Sequence, residues 1–323
     1  MTITPYIETF LQSVCAGKDN ETESAYRSKL KRLDKWMSEH SLELQSLTCS
    51  HIERFRQSMQ EQKTVRRGSK LVAGKLSPYT IHTVLRTVKH FITWAHKRGL
   101  TACDLTEFRI HPPPLPDPKA AEASNVLALL LTASHMGEPW ERARNLAMLY
   151  VLRDTGGRIS AILNSDLDNL DLCEGRLYTK EKGDKPATLF LNAPTVAALK
   201  EWILYRPQLE PKDEHLFISF KGTRLTRSGF YSLLHRLISA GNLGGRGRLN
   251  PHAFRHALAR DFLNAGGDIT KLSQLMHHST IRVTSDYYAR WSDGELKNAH
   301  AQFSPGAKMP IILPEPENDP TLK

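Results

Sequence analysis

The chain has few cysteines, and none of them stands in a metal-binding arrangement. Only four occur among 323 residues, and no CxxC pair is present. They are scattered along the whole chain, at Cys15, Cys49, Cys103 and Cys173. Isolated thiols of this kind are typical of a reducing compartment. The sequence therefore argues against a disulfide scaffold and against a cysteine-ligated metal.

Long apolar runs are also missing. No stretch approaches the roughly 20 apolar residues of a membrane span. The first residues do not follow the charged-then-apolar order of a signal peptide. We therefore expect no membrane partner and a cytoplasmic location, close to the nucleoid. A convincing carboxylate cluster for Mg²⁺ is absent as well, so the sequence predicts no metal and no other cofactor.

Positive charge is what the chain has in excess. Its 44 Lys and Arg against 34 Asp and Glu give a formal net charge of +10 with histidine neutral. Such an excess suits a polyanion, and nucleic acid is favoured over a lipid surface because no amphipathic lipid-binding segment stands out. A merely basic protein is the alternative on charge alone.

A proline-rich segment divides the chain. The stretch "RIHPPPLPDPKA", residues 109–120, cannot sustain a helix and favours an extended connector. This predicts an N-terminal domain over 1–108 and a C-terminal domain over 121–303. The final residues, 304–323, contain five prolines and predict an extended tail.

The N-terminal domain has the apolar spacing of helices. Spacings of three and four run through "TPYIETFLQSV" and "SAYRSKLKRLDKWMSEH". The stretch "SPYTIHTVLRTVKHFITWAHKRG" begins with Ser77 as N-cap and Pro78 at the first helical position, and it stops at Gly99. An all-helical domain follows from these patterns.

Between these helices lies the basic stretch "KTVRRGSKLVAGK", residues 63–75. We interpret it as a flexible loop able to follow a phosphate backbone, although a solvated surface loop fits as well. The candidate DNA contacts of this domain are Arg66, Arg67, Lys70, Lys75, Arg86 and Lys89.

The C-terminal domain mixes helices with a small sheet. The apolar segment "WERARNLAMLYVLRDTGG" predicts a helix that ends at a double glycine. The segment "GRLYTKEKGDKPATLFLN", residues 175–192, predicts a β-hairpin with its turn at "KGDK". The fold class expected is mainly α with a small β-sheet.

Three segments carry the side chains that chemistry would use. "DTGGRIS" places Arg158 after a helix stop. "NPHAFRHALARDFLNAGG" begins a helix at which His252 and Arg255 share a face near the N-terminus, where an anion is favoured. In "HHSTIRVTSDYYAR", Tyr287 and Tyr288 lie about 100° apart on a helix, so at most one points into a site beside the histidine that precedes the helix. Each segment alone is weak evidence, since surface Arg, structural His and packing Tyr are common.

Taken in order, these segments resemble the tyrosine recombinase (phage integrase) family over almost the whole chain. The resemblance implies a helical core-binding domain, a mixed α/β catalytic domain, and cleavage and rejoining of DNA through a 3′-phosphotyrosyl ester. It also implies the catalytic set Arg158, Lys182, His252, Arg255 and His278, with Tyr287 as nucleophile.

Two departures from the family pattern stand out. His277 occupies a position that usually holds Gly, and Ala161 one that usually holds an acidic residue. The register of the lysine is also open, because Lys180 and Lys185 flank Lys182 closely.

The resemblance implies a partner and an assembly. We expect double-stranded DNA clamped between the two domains, and a homotetramer acting on two sites, with residues 294–313 tying protomers together. An accessory DNA-bending protein or a partner recombinase is compatible with this scheme. The alternatives are a non-catalytic DNA-binding relative of the same fold and a type IB topoisomerase-like enzyme that relaxes DNA.

Overall fold

A computed structural model of the chain describes residues 2–17, 20–67, 70–114, 119–181, 183–245, 247–278 and 280–288, together with positions 294, 297, 300 and 302. The chain divides into two compact units, Met1–Pro114 and Leu115–Lys323. The proposed tail over 304–323 lies outside the described residues.

The first unit is helical with one small ribbon. Its helices and strands, in chain order, are α1 (Thr4–Cys15), α2 (Asn20–Glu39), α3 (Cys49–Glu61), β1 (Thr64–Arg67), β2 (Lys70–Ala73) and α4 (Pro78–His96). The hydroxyl of Ser77 accepts from the Thr80 N–H at 3.1 Å, so the predicted N-cap of α4 is confirmed.

Aromatic rings fill the core of the first unit. Phe10 is fully buried, and its ring meets those of Phe91 and Trp94 edge to face at 5.4 and 5.5 Å. Edge-to-face pairs at this distance add to the free energy of apolar burial. The apolar stripe of α4 therefore joins α1 to the rest of this unit.

The flexible loop expected over residues 63–75 is wrong. The structure has an antiparallel ribbon there, with Val65 paired to Val72 and the Gly74 N–H donating to the Lys63 carbonyl at 2.8 Å. β-branched side chains favour the extended backbone, and they outweigh the basic residues beside them.

The second unit consists of helices and a three-stranded antiparallel sheet. Its helices are α5 (Ala123–His135), α6 (Pro139–Thr155), α7 (Ile159–Leu163), α8 (Ala193–Tyr205), α9 (Arg227–Ala240), α10 (Pro251–Asn264), α11 (Ile269–Leu275) and α12 (Ile281–Tyr288). Its sheet has the order β3 (Leu170–Asp171), β4 (Arg176–Glu181) and β5 (Lys185–Phe190). The predicted hairpin is β4 and β5, and the mainly α fold class is confirmed.

Helix α6 is the centre of the second unit. It is buried on most of its circumference and packs against α5, α8 and α10. Trp202 of α8 is fully buried, and its indole N–H donates to the Leu216 carbonyl at 2.8 Å. The C-terminal end of α6 lies beside α10, where Gly156 approaches Arg255 and Leu258.

No helix in the described part of the chain has both the length and the apolar character that crossing a membrane requires.

Candidate active site

A cavity of about 400 Å³ in the second unit brings together residues that are far apart in the sequence. Its lining includes, of the predicted catalytic set, Arg158, His252, Arg255, His278 and Tyr287. Lys182 lies outside the described residues. Sequence reasoning missed further lining residues with polar side chains. They include His256 of α10 and the pair Arg227 and Tyr231, which lie one turn apart on α9. The N-cap at Thr226 was the signal available for the start of that helix.

A glycine at the end of α6 lies between the two arginines of the cavity, with Arg158 after it in the chain and Arg255 of α10 beside it. Gly156 ends α6 with φ at +57°, in the left-handed region that favours glycine. A Cβ atom on Gly156 would stand 2.8 Å from Cδ2 of Leu258 in α10. A side chain at this position would press against α10, and Arg158 follows two positions later as the N-cap of α7.

Arg255 is buried and firmly held. Its guanidinium donates to the Gly156 carbonyl at 2.8 Å and to the Met276 carbonyl. Burial, followed by the charge of Arg158, lowers the pKa of Arg255 to about 10, and Glu181 opposes both effects. The side chain therefore stays cationic at neutral pH although it is buried.

Arg158 forms an ion pair that the sequence analysis did not foresee. Its guanidinium donates to the carboxylate of Glu181, the last residue of β4. The Arg158 side chain is 38% exposed, whereas that of Glu181 is 7% exposed. An acid directly before a candidate catalytic lysine was the signal in the sequence.

Two histidines of the cavity favour the neutral form. Burial lowers the pKa of His252, and the charges of Arg255, Arg227 and Arg158 lower it further. Burial, followed by the charges of Arg255 and Arg158, lowers the pKa of His278 to about 4. A neutral imidazole has one N–H donor and one nitrogen lone pair, so each ring can donate one hydrogen bond and accept another.

The two adjacent tyrosines have different surroundings. The Tyr288 hydroxyl is hydrogen-bonded to Nδ1 of His256, and its ring packs against Ala259, Leu272 and Met276. Burial raises the pKa of Tyr288 to about 12. Both tyrosines line the cavity, so the expectation that only one would face it needs correction. The hydroxyl of Tyr288 is nevertheless engaged elsewhere.

The backbone at His277 has a conformation that suits the glycine of the family pattern. Its φ of +50° is the left-handed conformation that favours glycine. The ring compensates in part, because its Nε2–H donates to the Thr188 carbonyl of β5 at 3.1 Å. The residue thereby links the turn before His278 to the sheet.

The candidate DNA contacts of the first unit differ in their surroundings. Lys75 and Arg86 are exposed. The ammonium group of Lys89 donates to the Thr106 and Phe108 carbonyls, each at 2.9 Å, and so fastens the segment after α4. The remaining candidates lie on the β1–β2 ribbon, and their side chains are outside the described residues: Arg66, Arg67 and Lys70.

Comparison with known families decides the class. The model of the phage integrase family matches residues 122–294, and that of the phage integrase SAM-like domain matches residues 2–110. This chain belongs to the phage integrase family. The predicted class of enzyme, a tyrosine recombinase, is thereby confirmed.

Relatives and solved structures agree with this class. The chain is 30% identical over 308 residues to the tyrosine recombinase XerD of Proteus mirabilis, covering 93% of this chain and 92% of that protein. Its fold is similar to that of the Tn1549 transposon integrase in complex with a circular intermediate DNA, with a TM-score of 0.70, 18% identity and coverage of 94% and 99%. The XerH recombinase bound to its difH substrate has a TM-score of 0.66 at 19% identity, with coverage of 91% and 83%.

Proposed function

We propose that this family member is a site-specific recombinase that cleaves and rejoins double-stranded DNA through a covalent 3′-phosphotyrosyl ester on Tyr287. The observation that carries the proposal is the shared cavity, which gathers Arg158, Arg255 and Tyr287 around one space. The net charge of +10 is consistent with a DNA partner.

The two arginines are suited to a phosphodiester. Displacement at phosphorus builds negative charge on the non-bridging oxygens, and guanidinium groups can hold it bidentately. Arg255 has five N–H donors, and its two bonds to backbone carbonyls leave others for a phosphate. Arg158 remains partly exposed and can meet the phosphate from the solvent side.

In the first step, the Tyr287 oxygen attacks phosphorus, and the bond from phosphorus to the 5′ oxygen breaks. The phenol proton passes to His252, whose lowered pKa favours a neutral ring able to accept it. The departing 5′ oxygen takes a proton from Lys182. Attack by a partner strand's 5′ hydroxyl reverses these transfers, and the ester stores the energy that rejoining needs.

His278 is proposed to bind the phosphate as a neutral donor. Its Nδ1 lies 2.7 Å from the hydroxyl of the buried Thr284. With this hydroxyl donating to Nδ1, the ring carries its proton on Nε2 and can offer it to a phosphate oxygen.

The assembly is proposed to be a tetramer held by the C-terminal segment. A cavity of about 470 Å³ on the second unit has apolar walls formed by Leu189, Phe190, Leu258, Phe262, Leu272 and Leu275. Phe190 is 54% exposed, and we assign this face to residues 294–313 of a neighbouring protomer. Those residues include the apolar "MPIIL".

Assembly has a direct test. A chain truncated after residue 291 and a Phe190→Glu variant should both bind DNA as lower oligomers in analytical ultracentrifugation, while Leu204→Glu, at another exposed apolar residue, should assemble normally. Normal tetramer formation by the truncated chain would overturn this assignment.

Activity is tested by capture on random-sequence duplexes. Full-length protein incubated with nicked random duplexes should yield a covalent complex that survives denaturant, and sequencing the trapped DNA should return a defined site. Binding without any covalent complex would support the non-catalytic alternative. Relaxation of supercoiled DNA without site preference or strand exchange would support the topoisomerase-like one.

A further inference from the structure

Glu181 is a buried acid at the edge of the candidate site. Its side chain is 7% exposed, and one carboxylate oxygen accepts from Arg158. The other oxygen, Oε1, is buried and has no hydrogen-bond partner within the described part of the chain. A carboxylate in such a place is costly unless a cation compensates it.

The position of Glu181 in the sheet makes this acid unexpected. Side chains alternate along β4, and the inward positions are Leu177, Thr179 and Glu181. Leu177 is fully buried and Thr179 nearly so. An inward position on such a strand normally favours an apolar side chain, so the charge indicates a task other than packing.

The charges near Glu181 indicate what its carboxylate does. Arg158 and Arg255 are like charges in one cavity. Burial lowers the pKa of Arg255, the charge of Arg158 adds to this effect, and the carboxylate of Glu181 opposes it. Ala161, one turn along α7 from Arg158, is buried and has no charge to offer. The carboxylate of Glu181 therefore offsets the repulsion between the two guanidiniums.

We propose that Glu181 is a positioning residue, which holds the Arg158 guanidinium at the cavity wall with one side free for a phosphate. The proposal deepens the recombinase function and rests on it. Glu181 is buried, and the described lining of the cavity includes Arg158 but not Glu181, so the contact with Glu181 is compatible with a phosphate reaching Arg158 from the cavity. Since Lys182 is the next residue, the same contact couples the start of the hairpin turn to Arg158.

A variant series separates positioning from binding. The probe is a nicked duplex carrying the site recovered by covalent capture, and the proteins are full-length wild type, Glu181→Gln, Glu181→Asp and Glu174→Gln. Glu174 is the matched control, an exposed acid that pairs with Arg176 at 3.6 Å beside the other end of β4. Single-turnover adduct formation at saturating DNA gives the rate, and gel shifts give the affinity.

Glu181→Gln should slow adduct formation by about 100-fold, because a guanidinium displaced by about an ångström no longer fits the transition state. DNA affinity should change by less than about threefold, because the cation itself remains. Glu181→Asp should recover part of the rate, and Glu174→Gln should match wild type. A Glu181→Gln rate equal to wild type would overturn the proposal, and a faster one would show that the acid competes with phosphate.

A second arm does not depend on activity. The ¹⁵N relaxation of the Arg158 side chain, assigned with Arg158→Lys, should show an ordered guanidinium in the DNA-free wild type and in Glu174→Gln, and a mobile one in Glu181→Gln. Should Glu181→Gln fail to fold, Glu181→Asp serves in its place and should show intermediate order. Equal order of the Arg158 guanidinium in all variants would overturn the proposal. This result does not depend on adduct formation, so a wild type that forms no adduct would contradict the recombinase function alone.

Discussion

The guanidinium of Arg255 donates a hydrogen bond of 2.8 Å to the carbonyl of Gly156, two residues before Arg158. This bond joins α10 to the end of α6. Glycine suits this position, because Gly156 combines a φ of +57° with an approach that would bring an added Cβ within 2.8 Å of Cδ2 of Leu258.

Gly156→Ala should therefore lower the free energy of unfolding by at least about 2 kcal/mol, through the left-handed backbone and the contact with Leu258. Urea unfolding measures this loss. Gly266→Ala is the matched control, since Gly266 has a φ of +86° and nothing within 4 Å of the added Cβ. Equal losses in the two variants would show that the close approach to α10 has no energetic weight.

The Tyr288→Phe variant should show that Tyr288 contributes to stability and not to formation of the covalent adduct. Removing the hydroxyl bonded to His256 should cost about 1 kcal/mol of stability and leave covalent adduct formation within about threefold of wild type. Urea unfolding and adduct assays on the same preparation measure both quantities. A Tyr288→Phe variant with wild-type stability and no adduct would show that Tyr287 is not the nucleophile.

Stability should fall with acid. The pKa of His278 is about 4 in the folded chain against an ordinary value of 6.5, so the unfolded chain binds more protons between these values. Above about pH 6.5, His278 is neutral in both states and does not lower the free energy of unfolding. As the pH falls from about 6.5 towards about 4, the unfolded chain takes up a proton that the folded chain does not, so the free energy of unfolding decreases. The lowered pKa values of His252 and His256 act in the same direction.

His278→Gln should therefore reduce the slope of unfolding free energy against pH in this window, as measured by urea unfolding at a series of pH values. An unchanged slope would mean that His278 is not held in its neutral form by the surrounding burial and arginines.

Two substitutions at His277 should differ from each other. Alanine keeps the strain of the φ of +50° and loses the hydrogen bond to Thr188, whereas glycine loses the bond but relieves the strain. His277→Gly should therefore be more stable than His277→Ala by about 1 kcal/mol. Thermal unfolding of the two variants measures the difference, and the opposite order would contradict this account of the turn.

The sequence predicted the helices because these rest on local patterns, whereas the candidate catalytic set is what the resemblance of several short segments to a known family implies. Apolar spacing, the Ser77 cap and the double glycine after α6 need no knowledge of distant residues. Glu181 could not be found this way, because its role comes from a contact with Arg158, 23 positions away. The β1–β2 ribbon was missed for a different reason, since its basic residues suggested a loop while its β-branched residues favour strands.

The central claim is that Tyr287 takes over a DNA phosphate held between two arginines, and the attachment site tests it most directly. The adduct trapped on the captured site is digested with nuclease and trypsin, which leaves both tyrosines in one peptide, residues 283–290. Fragment ions should place the nucleotide on Tyr287 through a 3′ phosphate, with no adduct from Tyr287→Phe. A nucleotide on Tyr288, or a 5′-phosphate linkage, would contradict the account.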